Sequence, residues 1–449
     1  MSDQSTREGR FLTGSTMGHV LRMTLSGTAG ITFLFLVDAA NLFWISWLGE
    51  TKLVAAMGFA FAVQFFSISF GIGLMIAATA LVSRSIGQRK REQAREQAGA
   101  AMVMAVIFQS LVALIMVLFA DQLVELTGAV GDTAEFARRY LVLTLPSLPL
   151  MAAGMIGGAI MRAEGDALRA MLVTMGPGVV SAAVDPFLII TLDLRLDGAA
   201  LAVWASRIAM AAIGLYFVVK THDLLARPKV TTLKATFRPY AGIAGPAMLT
   251  QLATPIGSYL LTTVVAGFGD NAMAAWAVVN RLTVLAFGGI FSLSGAVGGI
   301  FGQNFGAGRY DRLKMTYRDA LIFCVAYPVT VWIILMSLHE SLVTGFGLTT
   351  EGGDLLYAFT HVGAGFFMFT GMIFVATAAF NNTGRPIYST GINWVREGLV
   401  TLPLALWLSS IYGASGVIYA QAIVGVVLGL IVTLWAYRFI AGAPKTNAR

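Results

Sequence analysis

Two acids, Asp38 and Asp185, stand inside long apolar runs. A carboxylate in hydrocarbon is costly, so an acid there marks a task such as proton or cation uptake. Asn41 follows Asp38 by three residues, on the same face of a helix. Ser181 precedes Asp185 by four, and Pro186 follows it. Asp38 and Asp185 are therefore the candidate residues for coupling to a proton or to Na+. Arg207, in a further apolar run, is the candidate charge partner of Asp185 or Asp38 when the coupling ion is absent. In the second half of the chain Gln251, Thr254, Asn280 and Arg281 outline a candidate polar cavity. Arg396 and Glu397 are adjacent, so a regular helix would point them apart and each would pair with another helix.

The same inventory argues against an enzyme. His19, His222, His339 and His361 lack metal-ligand spacing, and no nucleophile–base pair stands out. The single cysteine, Cys324, excludes intrachain disulfides and cysteine metal clusters. The stretch GQNFGAG at 302–308 lacks the Lys-Ser/Thr ending of a phosphate loop. No catalytic residue, no metal beyond the Na+ alternative and no cofactor are expected.

These residues need elements that hold them in a bilayer. The chain has 449 residues, 57% apolar and 12% charged, with mean hydropathy +0.77. Soluble domains carry about 25% charge. Continuous apolar runs of about 20 residues recur, the length of a membrane-crossing helix. They predict about twelve spans, near 18–47, 53–83, 98–120, 134–161, 167–192, 198–220, 240–268, 272–301, 318–338, 354–380, 387–411 and 415–440.

Net charge is +7, and the arginines and lysines cluster in alternate loops. Arg84, Arg89, Lys90, Arg91 and Arg95 fall on one side, as do Lys220, Arg227, Lys229, Lys234 and Arg238. Glu50, Asp121, Glu125, Asp132, Asp270, Glu340 and Glu351 fall on the other. This positive-inside pattern predicts a multi-pass plasma (bacterial inner) membrane protein with both termini cytoplasmic. It explains the basic balance without nucleic acid. A small-molecule substrate and membrane lipid are the expected partners, the protein is expected to act as a monomer, and no removed signal peptide is expected.

The chain also repeats. Ser26–Gly49 matches Pro246–Gly269 at an offset of 220, and Gly165 matches Gly384 at 219. The expected fold is all-α and polytopic, with two six-helix lobes related by a pseudo-two-fold axis along the membrane normal. The expected parts are a tail at 1–17, an N-lobe at 18–220, a cytoplasmic linker at 221–239, a C-lobe at 240–440 and a tail at 441–449.

Several stretches carry a resemblance: NLFWISWLGETKLVAAMGFA after Asp38, GIGLMIAATALVSRSIGQRKREQAR, MRAEGDALRAML, AAVDPFLII, LDGAALAVWASR, GFGDNAMAAWAVVNRL, GGIFGQNFGAGRYDR and AAFNNTGRPI. In this order and spacing they resemble the multidrug and toxic compound extrusion (MATE) transporters over nearly the whole chain. The resemblance implies two six-helix lobes, alternating access, and export of bulky, often cationic compounds driven by inward H+ or Na+. The chain departs from the family's pattern. Asn41 stands where the family's helix-1 acid is expected, with Asp38 one turn earlier. Ser26 replaces a proline, Ser181 an asparagine and Val203 a threonine, and the resemblance implies a proton or cation coupling site at Asp38, Asn41, Asp185 and Ser181. Sodium needs a filled shell of oxygens, whereas a proton needs one carboxyl in a low dielectric. Proton coupling is therefore favoured over Na+. The alternative is a flippase for lipid-linked intermediates from the same superfamily, which cavity-facing arginines such as Arg207 and Arg281 would favour.

Overall fold

The computed structural model describes the backbone of residues 8–47 and 51–446, and the side chains of all these except 38–42, 46–47, 51 and 443–446. Among the described residues there is no strand. Twelve helical rods follow one another. They are α1 (Thr16–Trp47), α2 (Thr51–Gly87), α3 (Arg91–Leu118), α4 (Gly131–Thr144 and Leu148–Glu164), α5 (Ala167–Pro186), α6 (Arg195–Tyr216), α7 (Val230–Ala266), α8 (Asp270–Ala286 and Gly288–Gly306), α9 (Tyr310–Ser337), α10 (Thr350–Ala358 and Ala364–Thr383), α11 (Pro386–Trp394 and Thr401–Tyr412) and α12 (Ser415–Thr446). Nine among the described residues are long and apolar enough to cross a bilayer, and the two parts of α8, bent by 44°, make a tenth. The rods follow the predicted spans closely. Apolar length alone carries that signal, because hydrocarbon leaves the backbone no partner but itself.

The chain forms two compact units, Ala29–Met248 and Gly9–Thr28 with the residues from Leu249 on. They part inside α1 and inside α7, past the basic stretch 221–239. Local packing shows why. In the first unit Tyr240 of α7 donates to the Leu74 carbonyl at 3.0 Å, and Gly73 lies against Met248. In the second, Ser292 donates to the Thr24 carbonyl of α1 at 3.0 Å. Gln303 Oε1 accepts from the Phe11 N–H at 3.0 Å, and Arg312 donates to the carbonyls of Phe11 and Gly14.

Small residues let the rods of the first unit approach. A Cβ on Gly157 of α4 would sit 2.8 Å from the Gly214 Cα of α6, so two backbones touch where each carries glycine. Gly165 ends α4 at φ 87°, and Gly384 ends α10 at φ 96°. This left-handed conformation favours glycine.

A buried charge cluster holds the chain where it leaves α6. Arg91 donates to the His222 carbonyl at 2.6 Å and reaches Glu164 at 3.5 Å. His222 Nε2 lies 2.9 Å from Asp166 Oδ2, which also accepts from Arg169. Burial alone would raise the Asp166 pKa, but the hydrogen bonds from Arg169 and His222 outweigh it and hold the carboxyl below its usual range. Its pKa when folded is thus below its unfolded value. The stabilisation is present above the unfolded pKa and fades as pH falls through the folded one. Asp166→Asn should lower the melting temperature at neutral pH, and the gap to wild type should close on acidification. A pH series of thermal unfolding in detergent reads this out; a gap constant with pH would contradict it.

Candidate functional site

The first unit gathers polar groups from α2, α4, α5 and α6. Asp185 is 1% exposed and accepts a hydrogen bond from Ser181 Oγ at 2.8 Å, one turn back on α5. Just beyond, Pro186 withdraws an N–H, and a π-helical turn runs over Phe187–Thr191. Such turns in a helix often mark functional sites. On α1, Phe33 and Val37 lie against Gly178 of α5. Gly30 lies against Thr174, so the two rods run parallel. Asn41 lies four residues beyond Val37, and Asp185 seven beyond Gly178. At 1.5 Å per residue these backbones stand about 6 and 10 Å past the contact. The side chains of Asp38 and Asn41 lie outside the described residues.

Arg207 is 8% exposed. It donates to the Thr144 carbonyl at 2.9 Å, to Ser147 Oγ at 2.7 Å and to Gln64 Oε1 at 3.3 Å. Gln64 Nε2 in turn donates to Thr144 Oγ1 at 2.6 Å. The Thr144 carbonyl is available because α4 breaks there. Pro146 lies in the 3-10 turn Leu145–Ser147, and the Leu148 N–H bonds the Leu145 carbonyl. Neutral acceptors thus hold Arg207, and among the described residues no carboxylate pairs with it. The structure does not bring Arg207 to Asp185. Sequence reasoning missed Gln64, Thr144 and Ser147; the signal was a lone glutamine in the apolar run of α2.

The second unit has a cavity of ≈ 120 Å³. Aromatic rings of Trp276, Phe359 and Phe367 meet Asn280, Gln421 and the pair Arg396–Glu397 there. Of the four residues expected to form a C-lobe cavity, Asn280 lines it. Gln251, Thr254 and Arg281 do not line this cavity, and Thr254 and Arg281 are exposed. Arg396 and Glu397 bond each other at 2.5 Å, which corrects the expectation that each pairs with another helix. They lie in a π-helical turn, Val395–Val400, where the ordinary α-helical separation of neighbours is relaxed. Glu397 packs where α7 carries glycine: a Cβ on Gly257 would sit 2.7 Å from Glu397 Oε2. Gly257→Val should therefore cost about 1–3 kcal/mol by overpacking. Gly295→Ala, which meets nothing within 4 Å, should be tolerated. Thermal unfolding of both variants in detergent checks the contrast.

Among the described residues no group of three or more His, Cys, Asp or Glu could hold a metal ion. The chemistry on offer is proton exchange at a buried carboxyl and hydrogen bonding to an organic ligand.

The MatE family model matches residues 29–187 and 246–407. An FAD transporter from Shewanella oneidensis is 26% identical over 97% of this chain and 98% of its own. The multidrug export protein MepA of Staphylococcus aureus is 23% identical over 93% of each chain. Among solved structures, the Vibrio cholerae MATE transporter VcmN in its bent form superposes with TM-score 0.88 at 25% identity, covering 95% of this chain and 97% of that one. A MOP superfamily transporter from Pyrococcus furiosus shares the fold at TM-score 0.89 and 22% identity, over 97% and 98% of the two chains. With one family model spanning both halves, the chain belongs to the MATE family of membrane transporters.

Proposed function

We propose that this protein is a secondary active antiporter that exports small organic compounds, driven by inward H+ through alternating access of its two halves. The observation that carries the reading is Asp185, a carboxyl buried in the first unit that accepts a hydrogen bond from the Ser181 hydroxyl. A carboxyl of this kind can bind and release one proton. Val203, where the resemblance leads one to expect a threonine oxygen, thins the shell that Na+ would need, so H+ is favoured and Na+ is the alternative. The cytoplasmic termini and the inner membrane follow from the charge of the loops.

The relatives' names span an FAD transporter and multidrug exporters. FAD carries phosphate charge, whereas the resemblance led to cationic cargo, so the cargo class is set by the residues of this chain. The flippase alternative has less support. It called on cavity-facing arginines, yet Arg207 is held by Thr144, Ser147 and Gln64, and Arg281 does not line the cavity of the second unit. Expression in a bacterium stripped of its own efflux pumps tests the reading. Steady-state accumulation of ethidium, a cation, or of fluorescein, an anion, should fall, and a protonophore should restore it. Equal accumulation with and without the expressed protein would count against export.

A further inference from the structure

Arg162 stands in the last turn of α4, at the end that loop charge assigns to the cytoplasm. An arginine there would ordinarily snorkel to water. Instead its guanidinium lies back along the helix. A Cβ on Gly158, four residues earlier, would sit 3.5 and 3.6 Å from its two terminal nitrogens. Four residues are about 6 Å of helix, directed away from the aqueous end. There it is enclosed by Met75 of α2 and by Val173 of α5, which a Cβ on Gly158 would meet at 3.5 Å. Among the described residues its hydrogen-bond partner is the Met75 thioether at 2.6 Å, a weak acceptor. A guanidinium has five donors, and an ion taken from water without acceptors is costly. Arg207 shows how this chain satisfies such a group when the role is structural: three oxygen acceptors surround it. Arg162 has none of these among the described residues, and it remains partly accessible.

The internal repeat supplies a control. At the offset of 219 that aligns Gly165 with Gly384, Arg162 aligns with Asn381. The second half ends its rod with the same left-handed glycine and buries Asn381. The fold of this corner therefore forms without a cation, and the charge in the first half asks for another explanation.

We infer that Arg162 is an oxyanion subsite, which takes a carboxylate or phosphate of the transported compound as it enters from the cytoplasmic end. This deepens the exporter reading and rests on it for the word transported; anion binding itself does not. A planar guanidinium offers two parallel donors to such a group, and the apolar wall of Met75, Val173 and Gly158 strengthens the contact by excluding water. The inference assigns the cargo an anionic group.

Fluorescein and rhodamine 6G share a xanthene ring and differ in charge, so they separate charge recognition from apolar binding. Purified full-length protein in detergent is titrated with each by fluorescence polarisation. Arg162→Gln is expected to weaken fluorescein by about tenfold, close to 1.4 kcal/mol, and to leave rhodamine 6G unchanged, with Arg162→Lys in between. Melting temperature and elution profile confirm folding. If the glutamine variant fails to fold, the lysine variant carries the same contrast. Unchanged fluorescein affinity, or equal loss of both dyes, would overturn the inference. Titration with added phosphatidylglycerol separates the two sources of anion: if Arg162→Gln alters lipid retention and not fluorescein affinity, the partner is a headgroup and the subsite is refuted. Proteoliposomes without efflux, beside charge-selective binding, would remove the exporter reading and leave the anion site standing.

Discussion

Asp185→Asn is expected to reduce gradient-driven export to the level of empty liposomes while the protein folds normally. The substitution is nearly isosteric, and an amide oxygen can still accept the bond that Ser181 donates at 2.8 Å. What it removes is the exchangeable proton, and with it the means of coupling. Binding of the organic ligand should persist, because ligand contacts do not need that proton. Ser181→Ala is a milder test of the same site. It deletes one hydrogen bond, worth about 1 kcal/mol, and should slow transport without abolishing it. Export by Asp185→Asn at the wild-type rate and expression level would remove Asp185 from the mechanism.

Arg207→Met is expected to lower the stability of the first unit clearly. It takes the Arg207 donor from Gln64 Oε1 and one of two donors from the Thr144 carbonyl, which still accepts from Ser147 Oγ at 2.7 Å. Leaving buried acceptors unsatisfied costs about 1–3 kcal/mol each. With one acceptor left without its donor and a second weakened, a net loss of about 2 kcal/mol is expected. Because the carboxylate of Asp185 is not among these partners, Arg207→Met and Asp185→Asn should add within about 0.5 kcal/mol in a double-mutant cycle. A strong coupling between them in thermal unfolding would show an ion pair in a state other than this one.

The sequence made the rods legible, and the reason is physical. Hydrocarbon imposes length and apolarity on every span, and the positive-inside bias checks their number. Asp185 was legible for the same reason, as an acid where acids are costly. The partners of the polar groups were not. Arg207 meets Thr144 because Pro146 lies in a 3-10 turn that leaves a carbonyl free, and no periodicity encodes that. Arg396 and Glu397 were read on a regular helix, whereas the chain there forms a π-helical turn and the two join each other. Arg162 passed as one basic residue among many in a loop-edge cluster. Only the direction of its side chain, toward Gly158, separates it from the others. Gly257 likewise read as a packing residue, and its pairing with Glu397 depends on which faces of α7 and α11 meet.

Proton-driven export is read out by flux under one gradient at a time. Reconstituted protein would be given a proton gradient alone and then a sodium gradient alone, with dye efflux followed in each. Efflux is expected under the proton gradient, none under sodium, and none under either with Asp185→Asn. Efflux driven by sodium alone would contradict proton coupling, and absence of efflux under both gradients would contradict export itself.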